Sequence, residues 1–208
     1  IIYFNDDLNT TEVIDRGIWC NKIGINSGNT KINFKSKELI IDNETFSLAD
    51  LPLIGEHNFN NYVCSILAAK LENISVTESI NSLKKFKGVK RRMDFITEIR
   101  GVRIYDDFAH HPTAIKLSCD AIRNKYPGKK ILGLVELASN TMSSGFHKEN
   151  LINSMDLLDE FLLLDVNKNY KINNSFDSEK NFVKNIKEII LEYDIILIMT
   201  NKDSQKFI

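Results

Sequence analysis

Apolar positions fall into two regimes along the chain. Up to about residue 46 they come in short runs broken by Asn, Asp and Gly, and beyond it in longer, regularly spaced blocks. Ile1-Ile2-Tyr3-Phe4 reads as a strand ended by Asn5-Asp6-Asp7, after which Asn9 or Thr10 can cap a brief helix that Gly17 stops. Between residues 22 and 46, "NSGNTKINF" and "IIDNETF" alternate β-branched runs with turn formers, the pattern of a hairpin or small antiparallel sheet. Val63, Ile66, Leu67 and Leu71 then recur at helical spacing, which predicts a helix over 58–71. "TESINSLKKFKGV" predicts a second helix, with Thr77 as its cap and Gly88 as its stop.

Gly88-Val89-Lys90 is the expected boundary, giving domains 1–89 and 90–208. Past it, "MDFITEI" and "VRIYD" flank Arg100-Gly101 as a β-hairpin. A two-residue turn there pairs Met93 with Phe108 and Asp94 with Asp107. A helix over 112–125, the strand "ILGLVEL", the loop "ASNTMSSG" and a helix over 147–158 follow. The strand "EFLLLDV", a helix over 181–192 and the strand "DIILIMT" complete the series. Near-continuous apolar strands alternating with helices predict a parallel sheet covered on both faces, an α/β domain of doubly wound type. Ligands of such sheets meet the carboxyl ends of the strands, where "YDDFAHHPT" and "LASNTMSSG" fall.

Composition narrows the partners. With 208 residues and 43% hydrophobic content the chain can bury a core in one or two domains. A net charge of −1 gives no basic footprint for nucleic acid. Cys20, Cys64 and Cys119 form no CxxC, so neither a disulfide framework nor a thiolate zinc site is indicated. No apolar run reaches the ~18 residues of a membrane span and no signal peptide opens the chain, so a cytoplasmic protein without a membrane partner is expected. Because the first residues already look like a strand and no methionine precedes them, the chain is expected to be a fragment of a longer protein.

The densest chemistry sits in "YDDFAHHPT", where two of four histidines follow a pair of aspartates. Such a group can be a metal site, an acid–base pair or a loop that meets a charged ligand. The hairpin brings Arg92 and Asp107 to one open end, and a guanidinium beside a carboxylate can hold a phosphate and a ribose diol. Pro112 suits the first turn of the next helix, whose positive dipole end then lies near His110 and His111 and favours an anion. Equally, Asp106 or Asp107 can cap a turn while one histidine bonds a backbone carbonyl, and no third ligand follows to complete a zinc site. His57, Asn58 and Asn61 form a second polar cluster after Gly55. Their amides can cap the helix or read the edge of a purine. Ser139, Asn140, Thr141 and Met142 form a third, whose plain reading is a helix-capping connection.

"GEHNFNNYVCSILAA", "GVKRRMDF", "YDDFAHHPTAI" and "SNTMSSGFHKENL", in this order and spacing, resemble the Mur ligases, and within them the branch that adds a murein tripeptide. The resemblance covers nearly the whole chain. It implies a Rossmann-like, doubly wound C-terminal domain preceded by the end of a central ATP-binding domain. It also implies ATP- and Mg2+-dependent amide formation in murein recycling, through an acyl phosphate on UDP-N-acetylmuramate that the amine of L-alanyl-γ-D-glutamyl-meso-diaminopimelate displaces. By the family pattern His57, Asn58 and Asn61 lie near the adenine, Arg92 and Asp107 hold the ribose and phosphate side, and His110 faces the reaction centre. The segment Ser139, Asn140, Thr141 and Met142, with His111, would contact the tripeptide. The chain holds no GxxGK[ST], so the grip on the triphosphate and the magnesium ligands are expected upstream, leaving no metal ligand here and the fragment inactive alone. Leu137-Ala138 stand where a proline and an arginine are expected, and "MTNKDSQKFI" lacks a glycine-rich continuation. The alternatives are an L-alanine-adding ligase, a nucleotide- or peptide-binding module without catalysis, and a metallohydrolase built on Asp106, Asp107, His110 and His111.

Overall fold

The computed structural model describes residues 1–138 and 140–207, and the chain divides into two compact units, Ile1–Lys87 and Gly88–Ile208. In the first, β1 (Ile2–Phe4) leads into α1 (Leu8–Asp15) and then β2 (Ile23–Ile25), which pairs parallel to β1. β3 (Thr30–Asn33), β4 (Glu38–Ile41) and β5 (Glu44–Ser47) form an antiparallel meander. The expected antiparallel piece is therefore this meander alone, with Ile23–Ile25 assigned to a separate two-stranded sheet. The cap of α1 is Asp7 rather than Asn9 or Thr10, because its carboxylate stands one residue ahead of the helix and accepts both of their amides.

α2 (Glu56–Leu71) opens two residues before the expected start, at Gly55, whose φ of 93° turns the chain without a side-chain cap. Its Phe59, Tyr62, Val63, Ile66 and Leu67 bury against Ile25, Leu39 and Ile41. α3 (Val76–Leu83) is capped by Ser75, not Thr77: Ser75 and Glu78 form a reciprocal capping box, which places Thr77 inside the first turn. Ser75→Ala is expected to destabilise the Ile1–Lys87 unit by about 0.5–2 kcal/mol, read as earlier exchange of the α3 amides. Unchanged exchange would show that packing of Val76 and Ile80 alone holds the helix.

The second unit begins with β6 (Asp94–Ile99) and β7 (Val102–Asp107), joined through Arg100 and Gly101, both left-handed as a tight hairpin turn requires. α4 (Pro112–Lys125) has the predicted bounds. β8 (Ile131–Glu136), the short α5 (Asn140–Ser143) and α6 (Lys148–Asn153) follow, so the helix expected over 147–158 is confined to its first half. β9 (Glu160–Leu164), a two-residue β10 (Ser175–Phe176) that periodicity did not reveal, α7 (Glu179–Ile189), a 3-10 turn (Ile190–Glu192) and β11 (Ile195–Met199) complete it.

These strands make one six-stranded sheet in the order β10-β9-β8-β11-β7-β6, parallel except for the β6 edge. This is the predicted α/β sheet. On one face Ile104, Leu134, Leu162 and Ile198 meet Phe182 and Ile186 of α7. The alternate positions turn to the opposite face, where Leu158 packs in the space a side chain at Gly133 would fill. β11 returns between β7 and β8, so the carboxyl ends of these three strands adjoin. No helix among the described residues is long and apolar enough to cross a membrane.

Candidate functional site

The hairpin register sets the geometry at the end of β7. Near the turn Ile99 pairs with Val102, but a bulge between Phe95 and Thr97 shifts the ladder, so Asp94 pairs with Asp106 and not with Asp107 as expected. Upstream of β6 the chain coils tightly, with Arg91 and Met93 left-handed at φ 61° and 50°. For residues with a Cβ this conformation needs support, and the aspartates supply it. Asp94 accepts the Arg91 amide at 3.3 Å, and Asp107 accepts the Met93 amide at 2.8 Å on one carboxylate oxygen and the Ala109 amide at 2.8 Å on the other.

Asp107 is thus 3% exposed, with both oxygens on backbone amides on either side of β7's end. Burial pushes its pKa above the ordinary carboxylate value, while those amides, the Ser118 hydroxyl and the Arg92 charge pull the other way. Asp106, 2% exposed, accepts from Arg91 Nε at 3.0 Å and Ser204 Oγ at 2.7 Å, and its Oδ1 is buried without a hydrogen-bond partner. Arg91 Nη2 also donates to the Thr200 carbonyl at 2.7 Å, tying this turn to the end of β11. Thr200 donates in turn to Glu136 at the end of β8, which also accepts from Lys206 at 2.7 Å.

Above this buried layer lies a more open rim. Arg92 is exposed, 5.9 Å from the centre of the Phe108 ring, and Arg91 lies 5.3 Å from the same ring. Phe108 meets the His110 ring edge-on at 5.1 Å. His110 Nδ1 is 2.8 Å from the Phe108 carbonyl oxygen, which can only accept; the ring proton therefore sits on Nδ1 and leaves Nε2 as the atom facing outward chemistry. His111 precedes Pro112 at the start of α4 and packs edge-on against His147 at 4.8 Å, so the loops after β7 and β8 touch through two imidazoles. Arg92, Asp107, His110 and His111 are thus brought together at one strand end.

Of the third polar loop, Ser139 and the side chains of Asn140 and Thr141 lie outside the described residues. Met142 is 1% exposed, and its carbonyl accepts the Tyr170 hydroxyl at 2.7 Å. In the Ile1–Lys87 unit, Asn58 is buried and its Nδ2 donates to the Ile54 carbonyl at 2.7 Å, while exposed Asn61 lies 3.5 Å from the Asn58 oxygen and His57 is half-buried. The asparagines therefore secure the first turn of α2 without capping it. Arg91, Glu136, Thr200, Lys206 and Tyr170 are the polar residues that sequence reading passed over. "KRRMD" showed two arginines, but the bulge hides which one turns inward. Among the described residues no three His, Cys, Asp or Glu side chains gather where they could share a metal ion.

Comparison with known proteins agrees with this architecture. The family described as Mur ligase, glutamate ligase domain, matches residues 91–200. UDP-N-acetylmuramate--L-alanyl-gamma-D-glutamyl-meso-2,6-diaminoheptandioate ligase of Escherichia coli K12 is 32% identical over 171 residues, 79% of this chain and 37% of that protein. UDP-N-acetylmuramate--L-alanine ligase of Clostridium kluyveri is 39% identical over 125 residues, 60% of this chain and 27% of that protein. The crystal structure of a murein peptide ligase from Psychrobacter arcticus matches with a TM-score of 0.70 and 26% identity, over 96% of this chain and 48% of that one. The chain therefore spans between about a quarter and a half of the relatives it matches. A parallel sheet with its polar residues gathered at the ends of β7, β8 and β11, matched over more than half its length by that family, makes this chain a member of the Mur ligases.

Proposed function

We propose that this chain is the carboxyl-terminal part of a cytoplasmic, ATP-dependent ligase that joins the muramoyl carboxylate of UDP-N-acetylmuramate to the amine of L-alanyl-γ-D-glutamyl-meso-diaminopimelate. Residues 1–89 are then the end of a central ATP-binding domain and 90–208 the terminal domain. The observation that carries this reading is the double use of Asp107, which fastens the Arg91–Met93 turn to the Phe108–His110 loop and so presents Arg92, Phe108 and His110 on one rim. The tripeptide is favoured over L-alanine by the Escherichia coli relative, which aligns over 79% of this chain, against 60% for the Clostridium kluyveri relative named for L-alanine.

The residues present suit a nucleotide. In the Gly88–Ile208 unit, the exposed guanidinium of Arg92 beside the Phe108 ring suits a phosphate or ribose; in the Ile1–Lys87 unit, taken by itself, the amide of Asn61 with His57 and Asn58 nearby suits a purine edge. ATP, when bound with Mg2+, supplies the phosphoryl group that activates the muramoyl carboxylate as an acyl phosphate, and the loop and ligands that grip it belong to a preceding segment. Asp107 acts as a positioning residue, and His110 turns Nε2 to the reacting carboxylate. His111, with Ser139, Asn140, Thr141 and the backbone of Met142, borders the incoming amine.

The test is ADP release by the longer protein carrying a GxxGK[ST] segment, with ATP, Mg2+ and UDP-N-acetylmuramate, and with either tripeptide or L-alanine as acceptor. Tripeptide-dependent release is expected, reduced about 100-fold in His110→Ala with the fold retained. Release with L-alanine alone would move the protein to the L-alanine-adding branch, and no release with either would sink the ligase reading.

A further inference from the structure

A second polar group gathers at the amino ends of β7, β8 and β11, at the end of the sheet away from the rim described above. Tyr126 follows the last turn of α4 and is half-buried, while Tyr105 on β7 is 3% exposed. Their hydroxyls stand 2.6 Å apart. The Arg103 guanidinium lies 5.6 Å from the centre of the Tyr126 ring, and the Lys125 ammonium lies 5.5 Å from that ring and 5.2 Å from the Tyr105 ring. Beside them is a small cleft of about 130 Å³, lined among others by Tyr126, Arg103, Lys129, Glu98 and Asp194. None of these residues has a task in the site described above.

The two phenols are not equivalent. Hydroxyls this close share one proton, and the Tyr126 oxygen can pass its own proton to water, whereas Tyr105 is buried with no other hydroxyl partner among the described residues; Tyr105 therefore donates and Tyr126 accepts. Burial pushes the Tyr126 hydroxyl up, but the Tyr105 hydrogen bond and the Lys125 and Arg103 charges outweigh it and hold Tyr126 below the ordinary phenol value. A larger share of it is then phenolate, the nucleophilic form. Of the six tyrosines, Tyr62, Tyr105, Tyr170 and Tyr193 are buried, which leaves Tyr3 and Tyr126 within reach of a reagent. Glu98 takes Arg103 Nε at 3.1 Å and Asp194 takes Lys129 Nζ at 3.0 Å, while Lys125 makes no ion pair among the described residues. The positive charge left over at the phenol draws an anionic reagent.

We propose that Tyr126 is a modification site, a phenol that takes the acyl group of an acyl phosphate whose phosphate is seated by Lys125 and Arg103. The Tyr126 oxygen attacks the acyl carbon, and an aryl ester C–O bond forms. The bond from that carbon to the phosphate oxygen breaks, inorganic phosphate leaves with the electron pair, and the phenolic proton passes through water to it. Attack at phosphorus instead would leave a phosphate ester at the carboxyl end of α4, where the helix dipole disfavours added negative charge; the acyl ester is neutral. The site stands apart from the ligase reading and holds or falls without it.

The test treats the folded chain with acetyl phosphate, and in parallel with the neutral reagent N-acetylimidazole, and follows each tyrosine by peptide mass spectrometry. Tyr126 is expected to acquire acetyl at least about tenfold faster than Tyr3 from acetyl phosphate, and to lose that lead in the denatured chain. Tyr105→Phe keeps the buried ring and removes the hydroxyl donor, so it should slow Tyr126 with both reagents. Lys125→Gln, an exposed change, should slow acetyl phosphate more than N-acetylimidazole, because it removes a charge that seats phosphate. Acetyl found on Lys125 and lost in Tyr126→Phe has passed through the phenol and supports the site. Acetyl on Lys125 that survives Tyr126→Phe, a Tyr126 no faster than Tyr3, or a Lys125→Gln variant that slows both reagents equally would overturn the proposal. Circular dichroism of each variant confirms that the compared chains are folded.

Discussion

Arg91→Ala is expected to destabilise the Gly88–Ile208 unit by about 3–5 kcal/mol, because it strands the buried Asp106 carboxylate. The Arg91 side chain joins three elements: Nε bonds Asp106 on β7, Nη2 bonds the Thr200 carbonyl after β11, and the guanidinium lies on Phe108. Ser204 would remain on the same oxygen that Arg91 leaves, and Oδ1 of Asp106 already lacks a partner, so nothing else nearby offsets the charge. Arg91→Lys should fall between, since a single ammonium cannot reproduce a fork that spans an aspartate and a carbonyl. Chemical denaturation followed by circular dichroism measures the loss, and amide exchange in β7 and β11 assigns it to this unit. A loss below about 1 kcal/mol would mean that Asp106 finds water or another donor and that the turn is held otherwise.

Asp107→Ala is the second large effect. Two amides that now donate to one buried carboxylate would lose their acceptor, at about 1–3 kcal/mol each when left unsatisfied. The left-handed conformation of Met93 would lose its support at the same time. Asp107→Asn separates charge from shape, because it keeps one acceptor and turns an NH2 toward the other amide. Its pH dependence has a defined sign. Burial raises the native pKa of Asp107, so its contribution to stability is greatest below the ordinary carboxylate value and is lost as pH rises from there through the native value. The difference between unmodified protein and Asp107→Asn should therefore be largest in acid and shrink across that window, read from denaturation midpoints at a series of pH values. A difference that grows with pH would show that the amides and Arg92 outweigh burial.

Much of the second unit was legible because its strands are buried on both faces and carry an uninterrupted apolar signature. "ILGLVEL" and "DIILIMT" gave β8 and β11, and Pro112 marked the start of α4. What escaped reading was local and cooperative. The bulge between Phe95 and Thr97 moves Asp94 by one partner, and no pattern of apolar residues announces it. The caps at Asp7 and Ser75 were missed because several capping residues stand in a row and only the completed helix chooses among them. At the site, "YDDFAHHPT" was conspicuous, and the structure gathers Arg92, Asp107, His110 and His111 around it. The inward arginine, Arg91, was invisible beside its twin. Glu136 finds its partners, Thr200 and Lys206, 64 and 70 residues away along the chain, brought to it only by the sheet.

The place of β11 between β7 and β8 bears on how the protein is made. As synthesis proceeds, β7 and β8 emerge without a partner for their facing edges, since the strand that pairs with both follows them and follows β9 and β10 as well. Until residues 195–199 arrive, the nascent unit holds two half-sheets, each with an apolar edge open to other chains, and the polar layer at the strand ends cannot assemble. A stop codon ahead of Ile195 would therefore do more than shorten the protein by a strand. It would leave an aggregation-prone product in which Arg91 and Glu136 never meet Thr200 and Asp106 never meets Ser204.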